Sequence, residues 1–315
     1  MFEKLLIKQI SNQEKTLDKW LNKHDKENPF PVDKVKMYEN ISYFDEDKSH
    51  LMDIYQPRNN NDLLPIIINI HGGGFLLGKK EVNRLYCAEL AMKGYIVFCV
   101  EYPLSPKAKI IDILNDLIIA INKINEIAKK YNGDNNNIFL TGDSAGAYLC
   151  VYLSALKNNS NLINLLKLKN KINPSIKGLG LISGMFYTNK FDQIGVFVPK
   201  LIYGKNYKKE YDNAYYNIEN KEIISFLSPC FLITNKGDFL RHYSIEFSKA
   251  LAKYNIKTKL LNINSKKLLP HAFVAMFPET DEAKIANNEM INFFNNITKW
   301  YIFKLIELDK RIIIK

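Results

Sequence analysis

A serine stands between two glycines in residues 142–146, which read Gly-Asp-Ser-Ala-Gly and follow an apolar run typical of a buried strand. The pattern G-x-S-x-G predicts a sharp strand-to-helix turn that exposes a serine hydroxyl. Because that hydroxyl is a weak nucleophile near neutral pH, it needs a nearby base and donors for the oxygen that becomes negative. Ser144 is therefore the predicted nucleophile of a hydrolytic site.

A second glycine-rich turn could supply those donors. His71 is followed by three glycines and comes directly after residues 66–70, which are apolar except for Asn69. Backbone N–H groups at glycines let a substrate carbonyl approach closely. The N–H groups of Gly73 and Gly74 are predicted to form an oxyanion hole together with that of Ala145, where a helix N-terminus also favours negative charge. His71 has no second ligand at metal spacing beside it, so we expect it to brace the loop.

The base should follow the serine in the chain, as it does in other sites built on this turn. Only two histidines do so. His271 lies between the predicted strand 258–263 and a C-terminal helix, which is the loop position of a catalytic base. His242 lies on a predicted helix, where a solvated side chain is expected. His271 is the predicted base.

The acid should lie in the exit loop of the preceding strand. Residues 230–234 predict that strand, and Asp238 follows in its loop. An aspartate there would hold the imidazole in the correct tautomer and stabilise the imidazolium. Capping the next helix is the alternative role for Asp238. Asp143, beside the nucleophile, is expected to brace the turn rather than act as a base.

Strand-like and helix-like patterns alternate along most of the chain. This alternation predicts an α/β fold, with a mostly parallel sheet of eight strands covered by helices on both faces. The eight predicted strands are residues 35–42, 51–56, 65–70, 95–100, 137–141, 176–183, 230–234 and 258–263.

These motifs resemble the hormone-sensitive-lipase-like branch of the α/β-hydrolases, which includes carboxylesterases and acetyl esterases. The resemblance runs from about Met52 to Phe294. Glu101 and Pro103 stand where this family usually has aspartate and arginine. The matching segments are residues 52–57, 71–74, 101–106, 142–146, 238–241 and 271–273.

The resemblance implies hydrolysis of short acetyl-type or butyryl-type esters of small molecules through an acyl-enzyme, without a cofactor or metal. It also implies a single domain over residues 1–315, with cap elements at about 1–35 and 185–226. Residues 2–23 predict an amphipathic helix for the first element. The second is rich in aromatic residues, which could line an acyl pocket or pack the cap on the sheet.

Other functions on the same scaffold stay open at this point. A carbohydrate deacetylase and an arylformamidase-like amide hydrolase use the same chemistry, and a silent ligand receptor could use the same fold. A membrane-associated lipase is a further alternative. The tail 298–315 alternates apolar and basic residues. It could pack on the domain, form a homodimer contact or touch a membrane surface.

Composition excludes several classes of protein. The formal charge of +11 comes from scattered lysines without a nucleic-acid motif, so a solvated surface is expected and no nucleic-acid partner. No apolar run reaches transmembrane length, and the N-terminus does not read as a signal peptide. The four cysteines form no C-x-x-C motif. We therefore expect a cytoplasmic protein without stable membrane insertion.

Overall fold

The structure, a computed structural model, describes residues 2–44, 50–58, 60–207 and 216–313, with side chains from residue 9 to residue 299 in these ranges. The strands are β1 (Val35–Ser42), β2 (Leu51–Pro57), β3 (Leu64–Ile70), β4 (Ile96–Val100), β5 (Gly133–Asp143), β6 (Ile176–Ile182), β7 (Cys230–Asn235) and β8 (Thr258–Ile263). The helices are α1 (Phe2–Glu27), α2 (Arg84–Met92), α3 (Ile110–Ile127), α4 (Ala145–Asn158), α5 (Ser160–Leu165), α6 (Gln193–Ile202), α7 (Lys221–Ile224), α8 (Arg241–Lys253), α9 (Phe273–Met276) and α10 (Asp281–Ile313).

All eight strands form one sheet in the order β1-β2-β4-β3-β5-β6-β7-β8. The first two strands are antiparallel to their neighbours, and every later pairing is parallel. The predicted α/β architecture with a mostly parallel eight-stranded sheet is confirmed. The strand that leads to Ser144 is longer than the sequence pattern suggested, since β5 begins at Gly133.

Strand β3 illustrates why both faces of the sheet are covered. Its side chains alternate between two core layers, with Ile66 and Ile68 in one and Ile67 in the other. The first layer contains apolar side chains of α3 and α4, and the second contains those of α2 and α10. A parallel strand buried on both faces needs a continuous apolar run, which explains the isoleucine-rich sequence here.

The parallel strands end at one edge of the sheet, and the candidate residues follow these ends. His71 comes directly after β3, Glu101 after β4, Ser144 after β5, and Ser183 after β6. Asp238 follows β7 by three residues. Ligands of open α/β sheets bind at this carboxyl edge, so the topology gathers these side chains at one place.

The aromatic span 185–226 contains α6 and α7. Its rings belong mostly to the core, since Phe186, Tyr187, Tyr203, Tyr207 and Tyr216 are buried. Tyr203 lies between neighbouring rings, 5.8 Å from both Tyr207 and Tyr216. The alternative in which these rings pack the span onto the domain fits this geometry. Tyr211 and Tyr215, which belong to the same predicted element, lie outside the described residues.

Helix α10 continues into the C-terminal tail, and its backbone is helical through Ile313. Within the ranges that the structure describes, none of the helices combines the length and the apolar character needed to cross a bilayer. The predicted roles of the tail in packing, dimer contact or membrane contact stay predictions.

Candidate active site

Ser144 forms the sharp turn between β5 and α4. Its backbone has φ +51° and ψ −113°, a conformation that side-chain-bearing residues rarely adopt. The turn is held by two backbone hydrogen bonds: Ser144 N donates to Ile182 O at 2.9 Å, and Met185 N donates to Ser144 O at 3.0 Å. A Cβ atom on Gly146 would lie 2.0 Å from Ile70 O. The second glycine of the motif is therefore required by the closeness of helix and strand.

His271 and Asp238 form a short hydrogen-bonded pair in which Asp238 is buried and His271 is partly exposed. His271 Nδ1 donates to Asp238 Oδ1 at 2.7 Å, and the same oxygen accepts from Leu240 N at 2.8 Å. Thr234 Oγ1 donates to the other carboxylate oxygen at 3.2 Å. Burial raises the pKa of Asp238, but hydrogen bonds and charge from His271, with hydrogen bonds from Ser183 and Leu240, bring it below its usual value. Asp238 thus both holds the imidazole and closes its own turn.

The other ring nitrogen of His271 is available for proton transfer. Nε2 is buried and has no hydrogen-bond partner among the described residues. His271 and Ser144 line the same cavity, although no hydrogen bond joins the two side chains in the described part of the chain. Such contacts are often long before substrate binds. The next residue fixes the loop, because Ala272 (φ +54°) donates its N–H to Ser183 Oγ at 3.1 Å.

The glycine loop after β3 has the backbone conformation that glycine permits. Gly73 has φ +112° and Gly74 has φ +63°. Gly73 O accepts from the N–H groups of Leu76 and Leu77 at 3.1 and 3.0 Å, which closes the turn. Across residues 60–207, no hydrogen bond uses the N–H of Gly73, Gly74 or Ala145. The three predicted oxyanion donors therefore have their N–H groups unengaged.

Asp143 ties the two turns together. Its Oδ1 accepts from Gly72 N at 3.0 Å and from Asn83 Nδ2 at 2.8 Å. Asn83 also donates to Asn69 Oδ1 at 3.0 Å, inside the sheet. Burial keeps the pKa of Asp143 above its usual value, although hydrogen bonds from Asn83 and Gly72 oppose that shift. These contacts match the expected bracing role.

His71 and Glu101 form a second pair behind the glycine loop, with His71 buried and Glu101 partly exposed. His71 Nε2 lies 3.1 Å from Glu101 Oε1, and His71 Nδ1 lies 2.8 Å from Gly72 O. The ring stacks on Tyr102 with centroids 4.4 Å apart. The second oxygen of Glu101 accepts from Lys80 N at 2.9 Å. Since both ring nitrogens face acceptors, the imidazolium form satisfies both contacts.

The charges of this pair support that protonation state. Burial lowers the pKa of His71, but the charge and hydrogen bond of Glu101 raise it, and the net result lies above the usual value. Burial raises the pKa of Glu101, but His71 and the N–H groups of Lys80 and Tyr102 bring it below the usual value. Glu101, which differs from the family's usual aspartate, still reaches the loop that it has to brace.

A cavity of about 730 Å³ opens over Ser144 and His271. Helix α1 contributes one wall, and none of the described side chains that line the cavity is lysine or arginine. None of the described aromatic rings between residues 186 and 226 lines the cavity. The span 185–226 instead contributes Met185 and, on α6, Ile194 to the lining. The apolar side chains in the lining are Leu17, Trp20, Leu77, Val82, Met185, Ile194, Phe239, Leu240, Ala272 and Met276.

The remaining histidines are not part of this site. His242 is exposed and packs edge-on against Tyr243, with centroids 4.5 Å apart, as expected for a solvated helix residue. His24 stacks on Trp20, and His50 pairs with Asp116 at 3.1 Å. Among the described side chains, no group of three or more His, Cys, Asp or Glu is placed to hold a metal ion.

Several site residues were missed by sequence reasoning. Ser183 supports the loop of His271, and Asn83 supports Asp143. The resemblance had marked Glu101, but its pairing with His71 was not predicted. Position in the chain offered one signal, because Ser183 and Glu101 directly follow the ends of parallel strands. Nothing local singled out Asn83, or the contribution of Trp20 to the wall.

Comparison with known proteins places this site in a family context. The BD-FAE family model matches residues 52–236, which is more than half of the chain. An isoprenylcysteine alpha-carbonyl methylesterase of Arabidopsis thaliana is 34% identical over 109 residues, which are 35% of this chain and 25% of that protein. A kynurenine formamidase of Salmo salar is 24% identical over 147 residues, covering 47% of this chain and 45% of that protein.

The fold also matches a solved enzyme structure along almost its whole length. Esterase B from Lactobacillus Rhamnosis superimposes with a TM-score of 0.85 at 21% identity, covering 95% of this chain and 97% of that one. At this identity the likeness establishes the shared fold. The chain spans only about a quarter of the length of the methylesterase that it matches.

Proposed function

The chain belongs to the BD-FAE family of the α/β-hydrolase superfamily, and from this premise we propose that it is a serine carboxylesterase. Ser144 is the nucleophile, His271 the base and Asp238 the acid. One observation carries the proposal: His271 binds Asp238 through Nδ1 at 2.7 Å, while its Nε2 is unpartnered and His271 lines the cavity that Ser144 also lines. A base oriented by a buried carboxylate is the arrangement that nucleophilic catalysis requires.

Acylation follows from this arrangement. Ser144 Oγ attacks the carbonyl carbon of the ester while its proton passes to His271 Nε2, and the carbonyl electron pair moves onto oxygen. The negative charge of Asp238 stabilises the imidazolium. Collapse of the tetrahedral intermediate breaks the bond to the alcohol oxygen, which leaves with the proton from His271.

Deacylation reverses the same proton transfers. A water molecule gives a proton to His271 Nε2 and attacks the acyl-enzyme, and Ser144 leaves with that proton. In both steps the oxyanion is proposed to bind the N–H groups of Gly73, Gly74 and Ala145. Their lack of other partners supports this assignment, since preorganised donors stabilise charge that develops in the transition state.

The lining of the cavity indicates an uncharged, largely apolar substrate. No lysine or arginine among the lining residues would recognise an anionic group, and ten of the lining side chains are apolar. The volume of about 730 Å³ lies in the usual range for small-molecule sites. A short acetyl-type or butyryl-type acyl group is proposed from the resemblance to the hormone-sensitive-lipase-like esterases.

The residues that line the cavity also favour one of the alternative functions over the other. A carbohydrate deacetylase must bind several hydroxyl groups, whereas polar side chains such as Gln13 and Thr16 are few in this lining. An aryl formamide is a better second candidate, because it is apolar and because a kynurenine formamidase is among the relatives. Its hydrolysis would use the same three residues.

Hydrolysis of p-nitrophenyl acetate, butyrate, octanoate and palmitate tests the proposal. We expect turnover of the short esters, and Ser144→Ala should lower kcat by about 10⁴-fold or more. Ser175→Ala, at an exposed serine before β6, is the matched control and should keep full activity. A fluorophosphonate probe with intact-mass detection should add one adduct to the wild type and none to Ser144→Ala.

Contrary results would be informative. If folded wild-type protein reacts with neither the esters nor the probe, the catalytic proposal fails and a receptor role replaces it. If the probe reacts while all four esters are inert, an N-formyl aniline assay decides whether the site hydrolyses amides. If Ser144→Ala retains the activity, the nucleophile is assigned wrongly.

A further inference from the structure

Helix α6 is covered on one face and exposes two apolar side chains on the other. Of its ten residues, only Gln193 and Lys200 have polar side chains. One face is inward, because Ile194 lines the cavity and Ile202 is fully buried. On the opposite face, Val196 is 50% exposed and Phe197 is 61% exposed. Gln193 and Lys200 share this outward face at helical spacing and are also exposed, so the face combines two apolar side chains with two polar ones.

Two further exposed aromatic side chains lie next to α6 in the chain or on the cavity that α6 lines. Phe191, just before α6, is 103% exposed. Phe239 is 66% exposed and also lines the cavity, with its ring centroid 4.4 Å from that of His271. The exposed apolar side chains Phe191, Val196, Phe197 and Phe239 are called the mouth patch below. A patch that borders a binding site is more informative than scattered apolar residues.

Three lysines lie in the segment that carries most of the mouth patch, and one of them, Lys190, pairs with Glu246. Lys200 and Lys205 are exposed, and no ion pair involves them among the described residues. Asp192 is the only acidic residue between positions 188 and 207. Its carboxylate is used internally, because it accepts hydrogen bonds from Gly195 N and from the hydroxyl of Tyr243. The patch therefore presents apolar side chains beside two exposed lysines that have no carboxylate partner among the described residues, on a chain of formal charge +11.

We propose that the mouth patch docks on an anionic lipid surface, so that the cavity opens toward esters dissolved in that surface. Exposed phenylalanines would enter the boundary between headgroups and acyl chains, and the lysines would face anionic headgroups. The substrate thus belongs to the class of lipid-soluble esters. This substrate statement rests on the proposed esterase function, whereas the docking itself does not.

The size of the patch favours a lipid surface over a second protein. The four side chains of the mouth patch together expose roughly 500 Å², taking about 200 Å² for a complete aromatic side chain. A stable protein interface buries about 800 Å² on each partner. Shallow insertion of a few apolar side chains into a membrane interface needs no such area, and electrostatic attraction adds to it.

Vesicle sedimentation tests the docking. Full-length protein is mixed with vesicles of phosphatidylcholine alone or of phosphatidylcholine with phosphatidylglycerol, and we expect binding to the anionic vesicles that weakens with salt. The double variant Phe191→Ser with Phe197→Ser should reduce the partition coefficient by about tenfold or more. Lys200→Glu with Lys205→Glu should reduce it in a separate variant that leaves the apolar residues in place. Ile285→Ser, at a 56% exposed position on α10, is the matched control and should bind like the wild type.

The controls separate this proposal from the catalytic one. Ser144→Ala should bind vesicles like the wild type, and the patch variants should hydrolyse soluble p-nitrophenyl acetate normally. Absence of wild-type binding to anionic vesicles, or binding that neither patch variant weakens, overturns the proposal. A wild-type dimer in sedimentation velocity that the phenylalanine variant dissociates would assign the patch to a second copy instead. An adduct on Ser144 without vesicle binding would leave the esterase function standing alone.

Discussion

The carboxyl edge of the sheet and the wall contributed by α1 border the same cavity but are held in different ways. The sheet edge holds three buried residues, Ser144, Asp143 and His71, and hydrogen bonds with backbone and charged groups fix their positions. On the wall, Lys79 holds Asp18 of α1 through an ion pair at 2.7 Å between two exposed side chains. Exposed ion pairs contribute little to stability.

This difference in how the two regions are held indicates a different role for each of them. Catalytic geometry must be kept within a fraction of an ångström, and buried hydrogen bonds at strand ends can provide that. Substrate recognition needs surface area rather than such precision, so a wall attached by a few ring contacts and ion pairs is adequate. We therefore expect changes at the edge to lower kcat and changes at the wall to alter KM.

The largest effect should come from Asp238→Asn, which tests the edge. The amide keeps the shape of the side chain but removes the negative charge that His271 Nδ1 faces at 2.7 Å. Loss of imidazole orientation and of imidazolium stabilisation should lower kcat by about 10⁴-fold with little change in KM. Steady-state kinetics on p-nitrophenyl butyrate measure both constants. Asp62→Asn, at an exposed loop position, is the control, and an equal loss in that variant would contradict the assignment.

A smaller effect is expected from Glu101→Gln, which tests the pair behind the glycine loop. His71 has a folded pKa above its usual value because of Glu101. Its contribution to stability is therefore complete below the unfolded pKa of about 6.5 and is lost as the pH rises through the folded value. Glu101, with a lowered pKa, is ionised throughout this window. The variant should lower the free energy of unfolding by about 2 kcal/mol near pH 6, and by less near pH 9.

Urea unfolding at the two pH values measures this difference, and kcat measured in parallel should also fall. Glu126→Gln, at an exposed glutamate of α3 paired with Lys123, is the matched control and should change the free energy of unfolding by less than about 1 kcal/mol. A loss for Glu101→Gln that is the same at both pH values would show that the carboxylate acts without a charged His71.

The smallest effect is expected at the wall, from Trp20→Ala. Trp20 lines the cavity and packs on His24 and Phe277, with centroids 4.8 and 5.8 Å apart. Loss of this apolar surface should raise KM by about tenfold for the preferred ester while kcat changes little. Trp20→Phe should retain most of the affinity. A loss in kcat instead would mean that α1 also positions the sheet edge, and the division between edge and wall would fail.

Much of the arrangement at the carboxyl edge of the sheet could be predicted from local sequence patterns. The turn at residues 142–146 and the run after His71 require small residues, because backbone passes where a Cβ atom would collide, as at Gly146. A backbone requirement of this kind limits residue type at adjacent positions, so it is visible in the sequence. The order of Ser144, Asp238 and His271 along alternating strands and helices then indicated which side chains meet.

The cavity wall and the contacts that support the site residues could not be predicted from local sequence patterns. Aromatic residues in the span 185–226 suggested a pocket lining, yet the described rings pack the core or face solvent, and Met185 with Ile194 line the cavity. An aromatic side chain stabilises either environment by burial, so residue type alone does not distinguish them. The bond between Asn83 and Asp143 joins residues 60 positions apart, and no periodic pattern records it.

The sequence by itself therefore determined the fold class, the eight strands and the three side chains proposed for catalysis, because strand periodicity and glycine turns are local properties of the chain. Only the tertiary structure decided that Glu101 pairs with His71, that Trp20 of α1 lines the cavity, and that one face of α6 is left uncovered. Those features depend on which distant surfaces pack together, and packing is a property of the whole molecule.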